Sequence, residues 1–466
     1  MSEMDWKQAR ETLLYSPKHG YDRISDGDRT ELESYCAAYM DFLGKAKTER
    51  EAVIRAVAEA EAAGFRPYDP AQGVRPGDKR YRVNRGKSVT FFVAGQKPVQ
   101  EGVRFAAAHI DSPRLDLKPR PLYEDQELAL FKTHYYGGVK KYQWTALPLS
   151  LHGVLALTDG SVLRVSIGED PGDPVFCVTD LLPHLSAEQM KKTLAEGVTG
   201  ENLNVLVGSA PLPGDTGESK RIQLAVMMLL HRKYGVTEAD FLSAELSLVP
   251  ALPVREVGLD RSMIGAYGHD DRVCAYAGLK PLMEMAEPPV HTAVCILADK
   301  EEIGSMGVTG LQSQELDLLM EQLCGGTGLR QCYASSVCLS IDVAAAYDPT
   351  YGEVYERRNS AMLNYGVAVC KYTGARGKSG ASDASGELVA RFRRTFDRAD
   401  VCWQLCELGK VDAGGGGTVA QFMANRNIDT LDAGVPVLSM HAPWEVVGKL
   451  DCYMTMKACR AFYGME

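Results

Sequence analysis

The stretch "TAVCILADKEEIGS", residues 292–305, decides how this chain is read. An apolar run reads as a strand that stops at Asp299-Lys300, and Glu301 and Glu302 then stand side by side. Adjacent carboxylates repel each other. Adjacent strand side chains also point to opposite faces, so both glutamates reach one place only if the backbone turns there. Ile303-Gly304 follows directly, and glycine permits such a turn. A positive charge beside the pair would offset the repulsion and give each glutamate its own role.

Other apolar runs end in the same manner. "RFAAAHID" (104–111) closes on His109 and Asp111, "SVCLSIDV" (336–343) carries Asp342, and "VPVLSMHA" (435–442) reaches His441. Asp270 and Asp271 sit in "GHDDRVCAYAGL" (268–279), just ahead of a helical pattern, where Asp270 reads as an N-cap. From that segment to the C-terminus strands and helices alternate, which predicts an α/β sheet. Ligands gather at the carboxyl ends of the strands in such sheets, so these distant residues are expected to converge.

The rest of the chain sets the frame. "TEREAVIRAVAEAEAAGF" (48–65) has the composition and apolar recurrence of an amphipathic helix. "LPLSLHGVLALTDGSVLRVSIG" (147–168) is β-rich around the hairpin signal Thr158-Asp159-Gly160-Ser161. A β-rich unit over 118–255 therefore reads as a second domain, lying between 1–117 and 256–466. A net charge of −10 disfavours nucleic acid and anionic membrane as main partners. No apolar stretch approaches the roughly 18 residues of a membrane span, and the first residues lack a signal-peptide core. The 12 cysteines are scattered without finger-like spacing and read as mostly buried free thiols in a reducing cytoplasm.

Two imidazoles with several carboxylates form a nitrogen/oxygen donor set suited to Zn²⁺, with Mn²⁺ or Co²⁺ as substitutes. The candidates outnumber the three protein ligands that one catalytic zinc usually takes. This predicts a pair of ions, roughly 3.5–4 Å apart, joined by a bridging carboxylate. One glutamate of the Glu301-Glu302 pair can then bind metal while its neighbour accepts a proton from water.

"HIDSP", "GHDDR", "DKEEIGS", "SIDVAAAYDPTY" and "PVLSMHAPWE", in this order, resemble the aspartyl-aminopeptidase-like family of dizinc aminopeptidases, within the co-catalytic zinc exopeptidases. The resemblance runs from about residue 80 to the C-terminus. It implies a mixed-sheet α/β/α catalytic domain with an inserted β-rich oligomerisation domain. It also implies two Zn²⁺ per chain, His109 and Asp342 on one, Glu302 and His441 on the other, and Asp271 bridging. Glu301 is then the general base, and Asp111 orients His109. The implied activity is release of single N-terminal residues from peptides by attack of a dizinc-bound water. Alternatives are a related dizinc deacylase or carboxypeptidase, or a metal-bound scaffold without catalysis. The family also implies a closed homo-oligomer, often a tetrahedral dodecamer.

The sequence departs from the family in places. Where members have Leu-Asp-Asn it has Asp270-Asp271-Arg272, which leaves the role of Arg272 open. The glycine tract holding Gly416 and Gly417 resembles a loop that approaches substrate, and Lys371 is the candidate to face acidic substrate side chains. The surroundings of Lys371 have diverged, so a neutral N-terminal preference stands beside an acidic one. His134, in "KTHYYGGVKKYQW", reads as a surface residue of the β-rich part.

Overall fold

A computed structural model describes residues 5–217 and 219–465. Eight elements carry the site: β1 (Arg104–His109), α1 (His269–Glu284), β2 (Ala293–Ala298), β3 (Val337–Ser340), β4 (Val367–Cys370), β5 (Trp403–Leu405), β6 (Asp429–Gly434) and α2 (Lys449–Tyr463). In the nine-stranded sheet the order is Arg66–Pro67, Lys79–Asn84, Ser88–Val93, β2, β1, β3, β6, β4 and β5. Neighbours among β2, β1, β3 and β6 run parallel, so their carboxyl ends open on one edge.

The period-2 rule sorts these strands into two cores. Ala106, Ala108, Cys295 and Leu297 face one layer, with Tyr39, Phe42, Tyr276, Tyr453 and Phe462. Phe105, Ala107, Val294 and Ile296 face the other, with Leu319 and Met320. Each fully buried large apolar side chain contributes about 1.5–3 kcal/mol. The mixed sheet is thus covered on both faces, the α/β/α arrangement that the family resemblance implies. The helix predicted near residue 48 spans Glu49–Ala62, with Thr48 and Glu51 closing a capping box.

A second, seven-stranded sheet lies between these parts of the chain. It is antiparallel and built from strands beginning with Arg114–Asp125 and ending with Ala244–Pro250. Leu149–Ala156 pairs antiparallel with Val162–Ile167 across the predicted turn, where the Asp159 carboxylate accepts the Ser161 N–H at 2.8 Å. A five-stranded sheet joins Met263–Ala266 to Glu445–Gly448, with Ala266 opposite Glu445, and Glu445–Gly448 to Pro436–Leu438. That hairpin carries the loop bearing His441. Among the described residues no helix is long and apolar enough to cross a membrane.

Candidate active site and metal centre

Two donor groups meet at the carboxyl edge of the parallel strands. His109, Asp270 and Asp342 form one, and Asp270, Glu302 and His441 form the other, with ligand atoms in each group within 4.8 Å of one another. Asp270 belongs to both. Its Oδ1 lies 3.1 Å from His109 Nε2 and its Oδ2 lies 3.1 Å from His441 Nε2. Asp342 Oδ1 is 3.7 Å from the His109 nitrogen, and Glu302 Oε2 is 3.4 Å from that of His441.

This corrects the sequence expectation that Asp271 spans the two positions. Asp270 holds that place, and it is not the helix cap it was read as, since Gly268 precedes the helix and no side chain caps it. The backbone is non-helical at both residues (ψ 104° at Asp270, 30° at Asp271), which turns the two side chains apart. Asp271 is fully buried, and among the described residues its oxygens meet no partner beyond the weak Cys274 thiol. Burial first, then Asp342, pushes its carboxyl well above the usual range.

The turn after β2 brings both glutamates in. Glu301–Ile303 forms one short 3₁₀ turn between left-handed Lys300 (φ 68°) and Gly304 (φ 92°). Asp111 locks that turn: Oδ1 accepts the Glu301 N–H at 3.1 Å, and Oδ2 accepts the Glu302 N–H at 3.2 Å. The Tyr136 hydroxyl donates to Asp111 Oδ2 at 2.7 Å. His109 Nδ1 donates to the Asp111 carbonyl at 3.0 Å, so its Nε2 is left facing the cluster. Glu301 Oε2 stands 3.9 Å from that nitrogen, on the cavity side.

Several supporting groups carried no role in the sequence reading. Glu445 is buried, with Oε1 accepting the His441 N–H at 2.7 Å and Oε2 accepting the Asp270 N–H at 3.1 Å. The Asp270 carbonyl accepts the Ser112 hydroxyl at 2.5 Å, and Arg272 Nη1 donates to the same hydroxyl oxygen at 3.0 Å. Arg272 therefore acts on the backbone of Asp270 through Ser112. The Gly138 carbonyl accepts His441 Nδ1 at 3.0 Å, fixing a residue whose own backbone is left-handed (φ 64°). That conformation costs on the order of 1–3 kcal/mol. A Cβ at Gly138 would stand 3.1 Å from the His441 ring, and one at Gly137 (φ 74°) would stand 3.3 Å from Glu302. The Gly137-Gly138 pair was the available signal, because two adjacent glycines permit this close approach.

The electrostatics are those of a site built for cations. Burial pushes the Glu301 carboxyl up to about 8, opposed by His109 and reinforced by Asp342 and Asp111. Burial and then Asp270 raise Glu302 well above the ordinary range. Burial works against a charged His441, yet its bonds to Asp270 and its closeness to Glu302 raise it to about 10. Carboxylates crowded in this way repel one another, and cations between them would relieve the crowding. Among the described residues the buried Glu302 Oε1 has no hydrogen-bond partner. Two nitrogens, carboxylates on both sides and a shared aspartate fit a pair of zinc-like ions.

The cluster floors a cavity of about 550 Å³. Val343, Ala344, Leu408, Phe422 and Met440 give it apolar walls, and Gly416 and Gly417 line it as the sequence suggested. No lysine or arginine does so among the described residues. Lys371 is a second correction: it stays outside the lining, with Nζ 3.1 Å from Asp383 on the surface. His134 is exposed, bonded to the carbonyl of Tyr135.

Comparison with known proteins gives consistent answers. A family model described as aminopeptidase I zinc metalloprotease (M18) matches residues 42–463. A probable M18 family aminopeptidase 1 of Clostridium acetobutylicum is 45% identical over 460 residues, covering 97% of this chain and 98% of that protein. The crystal structure of an M18 family aminopeptidase from Thermotoga maritima superposes with a TM-score of 0.92 at 42% identity, over 97% of this chain and 100% of the other. A structure of the mApe1 dodecamer of S. cerevisiae, 20% identical, gives a TM-score of 0.76 over 93% of this chain and 97% of that one, a likeness of fold.

Proposed function

The chain belongs to the M18 family of aminopeptidase I zinc metalloproteases and is a metal-dependent aminopeptidase, and from that premise we propose that it works with two zinc ions per chain and prefers neutral N-terminal residues. The observation that carries the two-ion reading is Asp270, whose two oxygens each face a different histidine. His109 and Asp342 would hold one ion, Glu302 and His441 the other, and Asp270 would touch both. Zinc, when bound, polarises a carbonyl and acidifies water.

The chain's own residues supply the remaining chemistry. Glu301 Oε2 takes the proton of the attacking water and returns it to the leaving amide nitrogen. Its backbone, pinned by Asp111, holds that oxygen beside the two donor groups. Glu302 and Asp270 add negative charge at the floor of the cavity, which favours a free substrate ammonium there. The apolar walls, and the absence of lysine and arginine from the described lining, favour an uncharged side chain on the residue released.

We further read the chain as a cytoplasmic homo-oligomer. All 12 cysteines are free and most are buried, which suits a reducing compartment. The related yeast protein is described as a dodecamer, and the connection between Cys177–Val178 and Val205–Gly208 in the β-rich part exposes Leu181, Leu185, Met190 and Leu194, residues suited to subunit contact. Metal analysis with a panel of leucyl, methionyl, aspartyl and glutamyl nitroanilides tests the whole reading. Two ions per chain and turnover favouring the neutral substrates are expected. Glu301→Gln should keep the metals and lose activity by orders of magnitude; full activity in that variant refutes the assignment of the base.

A further inference from the structure

β4 and β5 run parallel, with Ala368 opposite Gln404 and Val369 opposite Leu405. One step further along the same register stand Cys370 and Cys406. The Cys406 N–H continues the ladder to the Val369 carbonyl at 3.0 Å, and the two sulfurs lie 2.8 Å apart. That is closer than unbonded sulfurs pack. The spacing of paired strands, about 4.8 Å, falls within the roughly 4.4–6.8 Å between Cα atoms that a disulfide spans. Both cysteines line the catalytic cavity, so a small solute reaches them through its mouth. Cys324 and Cys332 also neighbour each other, but neither lines the cavity.

We propose that Cys370 and Cys406 are a covalent modification site, joined as a disulfide in the cavity wall by reaction with a low-molecular-weight disulfide. One cysteine thiolate attacks the small disulfide, forming a mixed disulfide and releasing one small thiolate. The second cysteine attacks the protein sulfur of that mixed disulfide and releases the other. Two protein thiols and one small disulfide become one protein disulfide and two small thiols, which carry away the two protons. The small disulfide is reduced and the cysteine pair is oxidised.

The site matters because of the residues next to each cysteine in the chain. Tyr372 and Thr373 come after Cys370, and Glu407 and Leu408 come after Cys406; all four line the cavity, and the Tyr372 hydroxyl donates to Glu407. Closing the bond, to about 2.05 Å between sulfurs, ties these two wall segments together at their base. None of them belongs to the two donor groups. The change therefore falls on the fit of the substrate, raising KM several-fold with kcat within about twofold. This consequence rests on the aminopeptidase reading, whereas formation of the bond does not.

The test treats zinc-loaded enzyme with oxidised glutathione or with dithiothreitol, then maps alkylated peptides by mass spectrometry. A linked peptide pair containing Cys370 and Cys406, lost again on reduction, is expected. Only mixed disulfides with glutathione, or links confined to other cysteines, overturn the site. KM is compared between oxidised and reduced forms of the wild type and of Cys370→Ala, with Cys406→Ser replacing the latter if it fails to fold. A raised ratio in the wild type and a ratio of one in the variant are expected, and an unchanged KM in fully linked wild type overturns the effect on substrate fit. A reduced wild type without any aminopeptidase activity overturns the functional reading instead, and the peptide map still decides the site.

Discussion

Replacing Asp111 by asparagine preserves the shape of the side chain and removes its charge and one acceptor. Asp111 now accepts the Glu301 N–H at 3.1 Å through Oδ1, and the Glu302 N–H at 3.2 Å with the Tyr136 hydroxyl at 2.7 Å through Oδ2. Whichever way the amide is turned, one backbone N–H of the glutamate turn faces an NH₂ group instead of an oxygen. A hydrogen bond to a charged group is worth about 1.5–3 kcal/mol, and opposed donors add to its loss. About 2–3 kcal/mol at the turn that aims Glu301 corresponds to about a hundredfold in rate. The His109 ring keeps its bond to the Asp111 carbonyl at 3.0 Å but loses the charge of the carboxylate oxygen 3.3 Å from its Nδ1, so zinc affinity falls about tenfold. The assay is kcat/KM on a leucyl nitroanilide at saturating zinc, beside a chelator competition for zinc. Asp111→Asn retaining more than a third of wild-type kcat/KM would refute the reasoning. A loss fully accounted for by zinc affinity would do so as well.

Three shorter predictions accompany it. Asp270→Asn should lower the zinc bound per chain while Asp271→Asn keeps it, measured by metal analysis after dialysis; the reverse result would restore Asp271 to the bridge. Lys371→Ala should leave kcat/KM on aspartyl and leucyl substrates within about twofold, because its ammonium pairs with Asp383 on the surface; selective loss on aspartyl substrates would contradict this. The third concerns pH. Burial disfavours charged His152, yet its bonds to Glu169 and Glu51 raise it from 6.5 to about 9. A folded pKa above the unfolded one means that this stabilisation is complete below about pH 6.5 and disappears as pH rises through about 9. It amounts to about 3 kcal/mol at most. Urea midpoints should therefore fall across that window in the wild type and stay flatter in His152→Gln; parallel profiles would count against the cluster.

The fold was legible in the sequence because parallel strands buried on both faces announce themselves as apolar runs, and the charged residues that stop them mark the carboxyl edge. His109, Glu302, Asp342 and His441 all follow such runs, and the structure gathers them. The pair Asp270-Asp271 was different. Both are aspartates, so residue type cannot separate them, and the choice depends on ψ at one position of a non-helical entry to α1. Lys371 illustrates the same limit: Cys370 and Tyr372 on either side of it line the cavity, but its own side chain turns to Asp383.

Glu445 shows what sequence spacing omits. It lies four residues after His441, but its task follows from the register that sets it opposite Ala266, close to the segment that delivers Asp270. From there one carboxylate accepts an N–H from a residue of each strand connection, and so couples Asp270, which the two donor groups share, to His441. Asp111 does the same for the two glutamates. Asp270, Glu301 and Glu302 are thus positioned through their backbone N–H groups, each bonded to a carboxylate outside the two donor groups. That arrangement leaves the side-chain oxygens of the donor groups free for cations. It also explains why Glu301 and Glu302 can stand side by side: Asp111, which never enters a donor group, fixes the turn between them.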